Sequence, residues 1–250
     1  MGWRVLLIAM VGEALTDEER VIFTMLTGRE REPLEPVEEF WGVIGRRGGK
    51  TRAMATLAAY FAALVDHEGV LAPGARGVIP ILASAKDQAG KAMNYIKGQF
   101  NSILMLKALV AEELTTSLRL NNSIDIEVTT ANFRTVRSMT ALLAIADEVA
   151  FWRSDDSANP DAEILNGLRP ALATTGGPLA VISSPYARRG ELYLTHKANY
   201  GKDGDPLILV AQGASRVLNP SLPQRVVDRA MEKDAAKAKA EYLAEFRTDV

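Results

Sequence analysis

The chain has 250 residues, 48% of them hydrophobic, enough for one large α/β domain with a sizeable buried core. A formal net charge of −2 and a pI near 5.8 give no global case for nucleic-acid binding, although local clusters such as Arg46-Arg47 and Arg188-Arg189 can still meet phosphates. The lack of cysteine excludes disulfides, thiolate zinc sites and cysteine nucleophiles, and the two histidines, His67 and His196, are too few for a multi-histidine metal site.

The apolar run 5–11 is far too short to span a bilayer, and no small-residue cleavage site clearly follows it. It reads as a buried N-terminal helix rather than an export signal, and a cytoplasmic protein is expected. Thr16 with Glu19 makes a capping box, which predicts a second helix running to about Leu26 and stopping at Gly28. Residues 29–39 are charged and carry Pro33 and Pro36, hence an extended connection into a first core strand at 40–44. After Thr51, residues Met54, Leu57, Ala58, Phe61 and Leu64 recur at helical spacing.

A strand is predicted at 77–83, with Pro80 arguing against a central place in the sheet, followed by a helix from about Ser84 to Phe100. Residues 124–128 alternate apolar and charged, as a strand with one wet face should, whereas 141–146 are apolar throughout, as in a parallel strand buried on both faces. A helix opens at Asn159-Pro160, and strands follow at 179–182 and 207–210. The last forty residues read as a Pro-marked loop and one long amphipathic helix with Val227, Met231, Ala235, Ala238, Tyr242 and Phe246 on one face. Strands alternating with helices imply a mainly parallel, helix-covered sheet.

Between the first core strand and its helix lies Gly45-Arg46-Arg47-Gly48-Gly49-Lys50-Thr51. A glycine-rich turn there directs backbone N–H groups into one concavity at a helix start, where nucleotide phosphates bind. Lys50 would set a point charge on the β- and γ-phosphates, and the Thr51 hydroxyl would ligate Mg²⁺. The common pattern G-x-x-x-x-G-K-[ST] asks for glycine at position 44, where this chain has Ile44; the glycine comes one place later.

The buried strand at 141–146 runs into Asp147 and Glu148. Two adjacent carboxylates there resist desolvation unless a cation or donor meets them. Asp147 is the candidate to orient Mg²⁺ and Glu148 the candidate to polarise the water attacking the γ-phosphate. The next strand ends in Ser183-Ser184-Pro185, whose hydroxyls could sense that phosphate, and no histidine pattern supports a serine nucleophile instead. Arg46 within the loop is the best arginine to stabilise the transition state in cis; Arg134 and Arg137 could serve in cis or in trans.

With these motifs in order the chain resembles the ATPase domain of tailed-bacteriophage terminase large subunits, the motors that package DNA into procapsids. The resemblance rests on the loop at 45–51 as Walker A, on Ala144-Ile145-Ala146-Asp147-Glu148-Val149-Ala150-Phe151-Trp152 as Walker B, and on Ile182-Ser183-Ser184-Pro185. It extends over about residues 1–250 and implies a P-loop NTPase of the ASCE type, a three-layer α/β fold with a mainly parallel central sheet covered by helices. It implies ATP and Mg²⁺ as ligands. Gly45, Arg46, Arg47, Gly48, Gly49, Lys50, Thr51, Ser183 and Ser184 would hold the nucleotide, Thr51 and Asp147 the metal, and Glu148, Arg46 and Arg137 would carry the chemistry. Arg137, eleven residues before Glu148, looks like the arginine that some members insert into a neighbouring subunit's site.

The implied partners are double-stranded DNA, a portal protein, a small terminase subunit and further copies of the chain in a ring, with no membrane, in the cytoplasm of an infected bacterium. The expected division is 1–39 for N-terminal helices and connection, 40–212 for the nucleotide-binding core and 213–250 for a linker helix toward a nuclease domain. Nuclease activity is not expected in this chain. Two alternatives stay open: a DExD/H helicase, against which Ala150 stands where Asp or His belongs, and a non-hydrolysing nucleotide-binding scaffold.

Overall fold

The apolar stretch near the N-terminus forms a helix, α1 (Gly2–Met10), with Val5, Leu6, Ala9 and Met10 buried in the core. The next, α2 (Asp17–Thr27), starts as its capping box dictates: Thr16 Oγ1 accepts the Glu19 N–H at 3.3 Å and the Glu19 carboxylate accepts the Thr16 N–H at 3.1 Å. It stops on Gly28 at φ +67, where a Cβ would stand 3.1 Å from Gly201 Cα.

A computed structural model describes residues 1–131, 139–152 and 159–250. Its remaining elements are, in order, β1 (Glu39–Ile44), α3 (Lys50–Ala63), β2 (Gly77–Ala83), α4 (Lys86–Ser102), α5 (Leu104–Lys107), β3 (Val110–Glu113), β4 (Ser117–Leu120) and β5 (Ile124–Thr130). Then come β6 (Ala144–Asp147), a 3₁₀ turn (Val149–Phe151), α6 (Pro160–Ala173), β7 (Leu179–Ser183) and α7 (Gly190–Asn199). The chain continues through β8 (Ile208–Gly213), α8 (Ser215–Leu218), α9 (Gln224–Lys233) and α10 (Ala235–Leu243). The class is mixed α/β: an eight-stranded, mainly parallel sheet flanked by helices.

The chain divides into two units, Met1–Lys50 with Glu148–Phe151 and Ala180–Val250, and Thr51–Asp147 with Trp152–Leu179. In the first, the strand order is β7-β1-β8, and β1 runs parallel to β8 from Glu39↔Ile208 to Ile44↔Gly213. Phe40, Trp41, Val43 and Ile44 are fully buried, as a strand covered on both faces requires. Gly42 belongs to this packing, since a Cβ there would lie 3.2 Å from Ile182 Cγ2. The helix pair α1 and α2 packs here, α2 against β8, and α7 lies against β1 and β8.

In the second unit the order is β3-β4-β5-β2-β6, with β2 parallel to β5 and β6 and with β3-β4-β5 antiparallel. Pro80 was expected to keep β2 from a central position, yet β2 is paired on both sides. The ladder explains how. Val78 pairs with Ala141 but Ile81 pairs with Ile145, so three steps along β2 face four along its neighbour. The slip falls opposite Pro80, where its missing N–H interrupts nothing regular. Asp125 lies on the expected wet face of β5 but is buried, with Arg76 bonded to it at 2.7 Å.

The expected single C-terminal helix is two. Asp234 takes an extended conformation at φ −159 and ends α9, then caps α10 by accepting the Lys237 N–H at 3.0 Å. Phe246 lies beyond α10 and packs edge-on to Tyr193 at 5.1 Å. Among the described residues no helix is long and apolar enough to cross a membrane.

Candidate nucleotide site

The loop after β1 contains two left-handed residues, Arg47 at φ +65 and Gly49 at φ +86, and closes on itself through Gly48 N–H donating to Gly45 O at 3.0 Å. The off-register glycine has a packing reason. A Cβ on Gly45 would stand 2.8 Å from both Ser215 N and Tyr242 O, whereas Ile44 still belongs to β1 and is fully buried. Glycine is therefore needed at 45, where α8 and α10 press on the loop, and not at 44.

The loop's outer face is tied down by side chains from elsewhere in the same unit. Ser215 Oγ donates to Arg46 O at 2.6 Å, Asn219 Nδ2 to Arg47 O at 2.8 Å, and the Trp3 indole N–H to Gly48 O at 2.6 Å. The Arg46 N–H donates to Glu241 O, and its guanidinium lies 3.3 Å from the Glu241 carboxylate with the side chain largely exposed.

Lys50 opens α3 and folds its stem back so that Nζ is buried. It donates to Ile44 O at 3.2 Å and to Ser184 Oγ at 2.8 Å, and lies 3.2 Å from Glu148 Oε1. The other oxygen of Glu148, Oε2, accepts the Ser184 N–H at 3.0 Å and lies 3.2 Å from Ser183 Oγ. Its own N–H donates to Ile182 O at 2.7 Å. The buried ammonium, the carboxylate and the strand-end serines thus form one hydrogen-bonded cluster, which is how a charge pair survives burial.

In the second unit, the Thr51 hydroxyl lies 3.4 Å from Asp147 Oδ2, and the Trp152 indole N–H holds Asp147 O at 3.0 Å. Asp147 is buried. A hydroxyl beside a carboxylate is an oxygen donor pair of the kind Mg²⁺ takes, and that ion usually needs only one or two protein ligands when phosphate supplies the rest.

Six of the sequence-predicted side chains thus fall into two clusters, Lys50, Glu148, Ser183 and Ser184 in one unit and Thr51 and Asp147 in the other, whereas the Arg46 guanidinium joins neither and pairs with Glu241. Peptide bonds join the two clusters at Lys50-Thr51 and Asp147-Glu148. Arg134 and Arg137 lie outside the described residues. Neither histidine meets a site serine: His196 is bonded to Gln212 at 2.8 Å, with its pKa lowered by burial, and His67 to Phe61 O at 2.8 Å. Sequence reasoning passed over Trp3, Ser215 and Asn219 as loop contacts. They bind main-chain carbonyls, and such partners leave no side-chain pattern to read.

No protein-family model matches the chain, and no curated protein matches it. Solved structures do. The large terminase ATPase domain of Thermus phage P74-26 superposes with a TM-score of 0.66 at 16% identity, over 96% of this chain and 96% of that one. The bacteriophage HK97 large terminase gives 0.63 at 18% identity, over 98% of this chain and 55% of that one. The large terminase of a thermophilic bacteriophage, in complex with ADP, gives 0.61 at 11% identity, over 84% of this chain and 48% of that one. This chain spans about half the length of the latter two. It has the fold of the large terminase ATPase domain.

Proposed function

We propose that this chain hydrolyses ATP with Mg²⁺ and that the hydrolysis drives double-stranded phage DNA into a procapsid, as the motor domain of a terminase large subunit. The observation that carries the reading is the buried Lys50 ammonium shared between Glu148 and Ser184 at the mouth of a glycine loop. A buried cation at that place needs anionic company, and triphosphate oxygens are a better match than one carboxylate.

In this reading the 45–51 loop binds the β- and γ-phosphates through its N–H groups, and Lys50 exchanges Glu148 for phosphate oxygens. Thr51 and Asp147 would hold Mg²⁺, which supplies positive charge against the phosphates. Glu148, released from Lys50 but still held by Ser183 and Ser184, takes a proton from water as its oxygen bonds to the γ-phosphorus. The bond from that phosphorus to the β–γ bridging oxygen breaks, and the electron pair leaves with ADP. Arg46 from the same chain and Arg137 from a neighbour would stabilise the charge that develops. Ser183 and Ser184 link the site to the strand end, and residues 213–250 would lead toward a nuclease domain. Portal protein, small terminase subunit and DNA would complete the machine in the cytoplasm of the infected host, with the chain in a ring.

Steady-state hydrolysis by the wild type and Glu148→Ala, with and without Mg²⁺ and double-stranded DNA, tests this. The wild type should turn over, and the variant should bind ATP while losing about 10²- to 10⁴-fold in kcat. A wild type that binds nucleotide but never hydrolyses it, under any assembly condition, would make the chain a scaffold.

A further inference from the structure

We infer that Trp3, Ser215 and Asn219 are positioning residues for the nucleotide, acting through the outward carbonyls of the phosphate loop; the inference rests on the ATP-binding reading above. In a planar trans peptide the C=O and the following N–H point in opposite directions, so a bond that fixes one fixes the other. Three consecutive carbonyls of the loop are fixed in this way. Ser215 holds that of Arg46, Asn219 that of Arg47 and Trp3 that of Gly48, at 2.6, 2.8 and 2.6 Å. The N–H groups of the same peptide units belong to Arg47, Gly48 and Gly49. Gly48 spends its own on Gly45 O, while those of Arg47 and Gly49 meet no acceptor among the described residues. Both are therefore turned away from the brace and left free for an anion.

The backbone makes such bracing necessary. Arg47 at φ +65 is a non-glycine residue in the left-handed region, and Gly49 at φ +86 has ready access to other conformations. A flipped 48–49 peptide would present a carbonyl oxygen to a phosphate, exchanging attraction for repulsion. The packing agrees with a built contact. Ser215 is fully buried, and the Trp3 indole nitrogen would stand 3.3 Å from a Cβ on Gly49, so Trp3 lies directly over the peptide it holds. The three side chains come from opposite ends of the sequence, α1 on one side and the stretch around α8 on the other.

Loss of one brace leaves the loop in its competent form only part of the time, and apparent affinity falls by that fraction. The test measures binding of a non-hydrolysable ATP analogue with Mg²⁺, and hydrolysis, in wild type, Trp3→Phe and Asn219→Ala. Each variant should raise Kd and KM roughly three- to tenfold, the worth of one hydrogen bond, with kcat at saturation within about twofold. The fluorescence difference between wild type and Trp3→Phe should change as nucleotide binds. Trp3→Phe keeps a ring in place and Asn219 is only partly buried, so unfolding temperatures without nucleotide check that both variants fold. A wild type that binds no nucleotide sinks the ATP reading and this inference with it. A wild type that binds, with both variants binding equally well, sinks the brace alone.

Discussion

Glu148 sits at φ +56, a left-handed conformation that costs a residue with a side chain about 1 kcal/mol. It persists because its N–H and both carboxylate oxygens are held, by Ile182, Ser184 and Lys50. Glu148→Gly should therefore unfold at a higher temperature than Glu148→Ala, although glycine has the more disordered unfolded chain, and both should be inactive; thermal melts and hydrolysis assays check this. A second residue-scale prediction concerns Glu32. Hydrogen bonds from Arg20, at 2.8 Å to each oxygen, hold its carboxyl at a pKa of about 2, below the ordinary 4.5. A lowered folded-state pKa adds stability that is fully present above pH 4.5 and is lost as pH falls toward 2. Glu32→Gln should lower the melting temperature at pH 7, and the gap to wild type should close across that window. At this scale the sequence singles out Lys50, Thr51, Asp147, Glu148, Ser183 and Ser184 by type and spacing, and the structure sets Lys50, Glu148, Ser183 and Ser184 in mutual contact and Thr51 beside Asp147. That Lys50 and Ser184 touch across 134 positions was not readable, since no local pattern encodes a tertiary contact.

At the scale of elements, legibility followed length and local chemistry. The capping box of α2, the Asn159-Pro160 start of α6 and the apolar runs of β1, β2 and β7 carry signals within a few residues, and each appears. The strands β3 and β4 have four residues each, too few for alternation to stand out, and they were missed. The helices α9 and α10 were read as one because their apolar period continues across the break at Asp234, which is set by that residue's cap. Asp234→Ala should remove the cap and cost about 1 kcal/mol in denaturant unfolding. Because Tyr242 and Glu241 on α10 touch the 45–51 loop, amide exchange at residues 45–48 should quicken in the same variant.

For the whole molecule, the fold class was legible from the alternation of strands and helices, whereas the division into two units was not. The chain passes from one unit to the other inside both motifs, at Lys50-Thr51 and Asp147-Glu148, and residue type does not register such a crossing. The proposed ring assembly is tested at this scale. If Arg137 completes a neighbour's site, turnover per chain should rise with protein concentration in the wild type and stay flat in Arg137→Ala, with ATP binding equal in both. The cluster around Glu148 also has an evolutionary consequence. Lys50, Glu148, Ser183 and Ser184 satisfy one another's polar atoms, so a single substitution strands a buried charge or donor and is selected against even where catalysis is dispensable. In a lineage drifting away from this sequence, those four positions should be replaced together or not at all, while the exposed faces around them change freely.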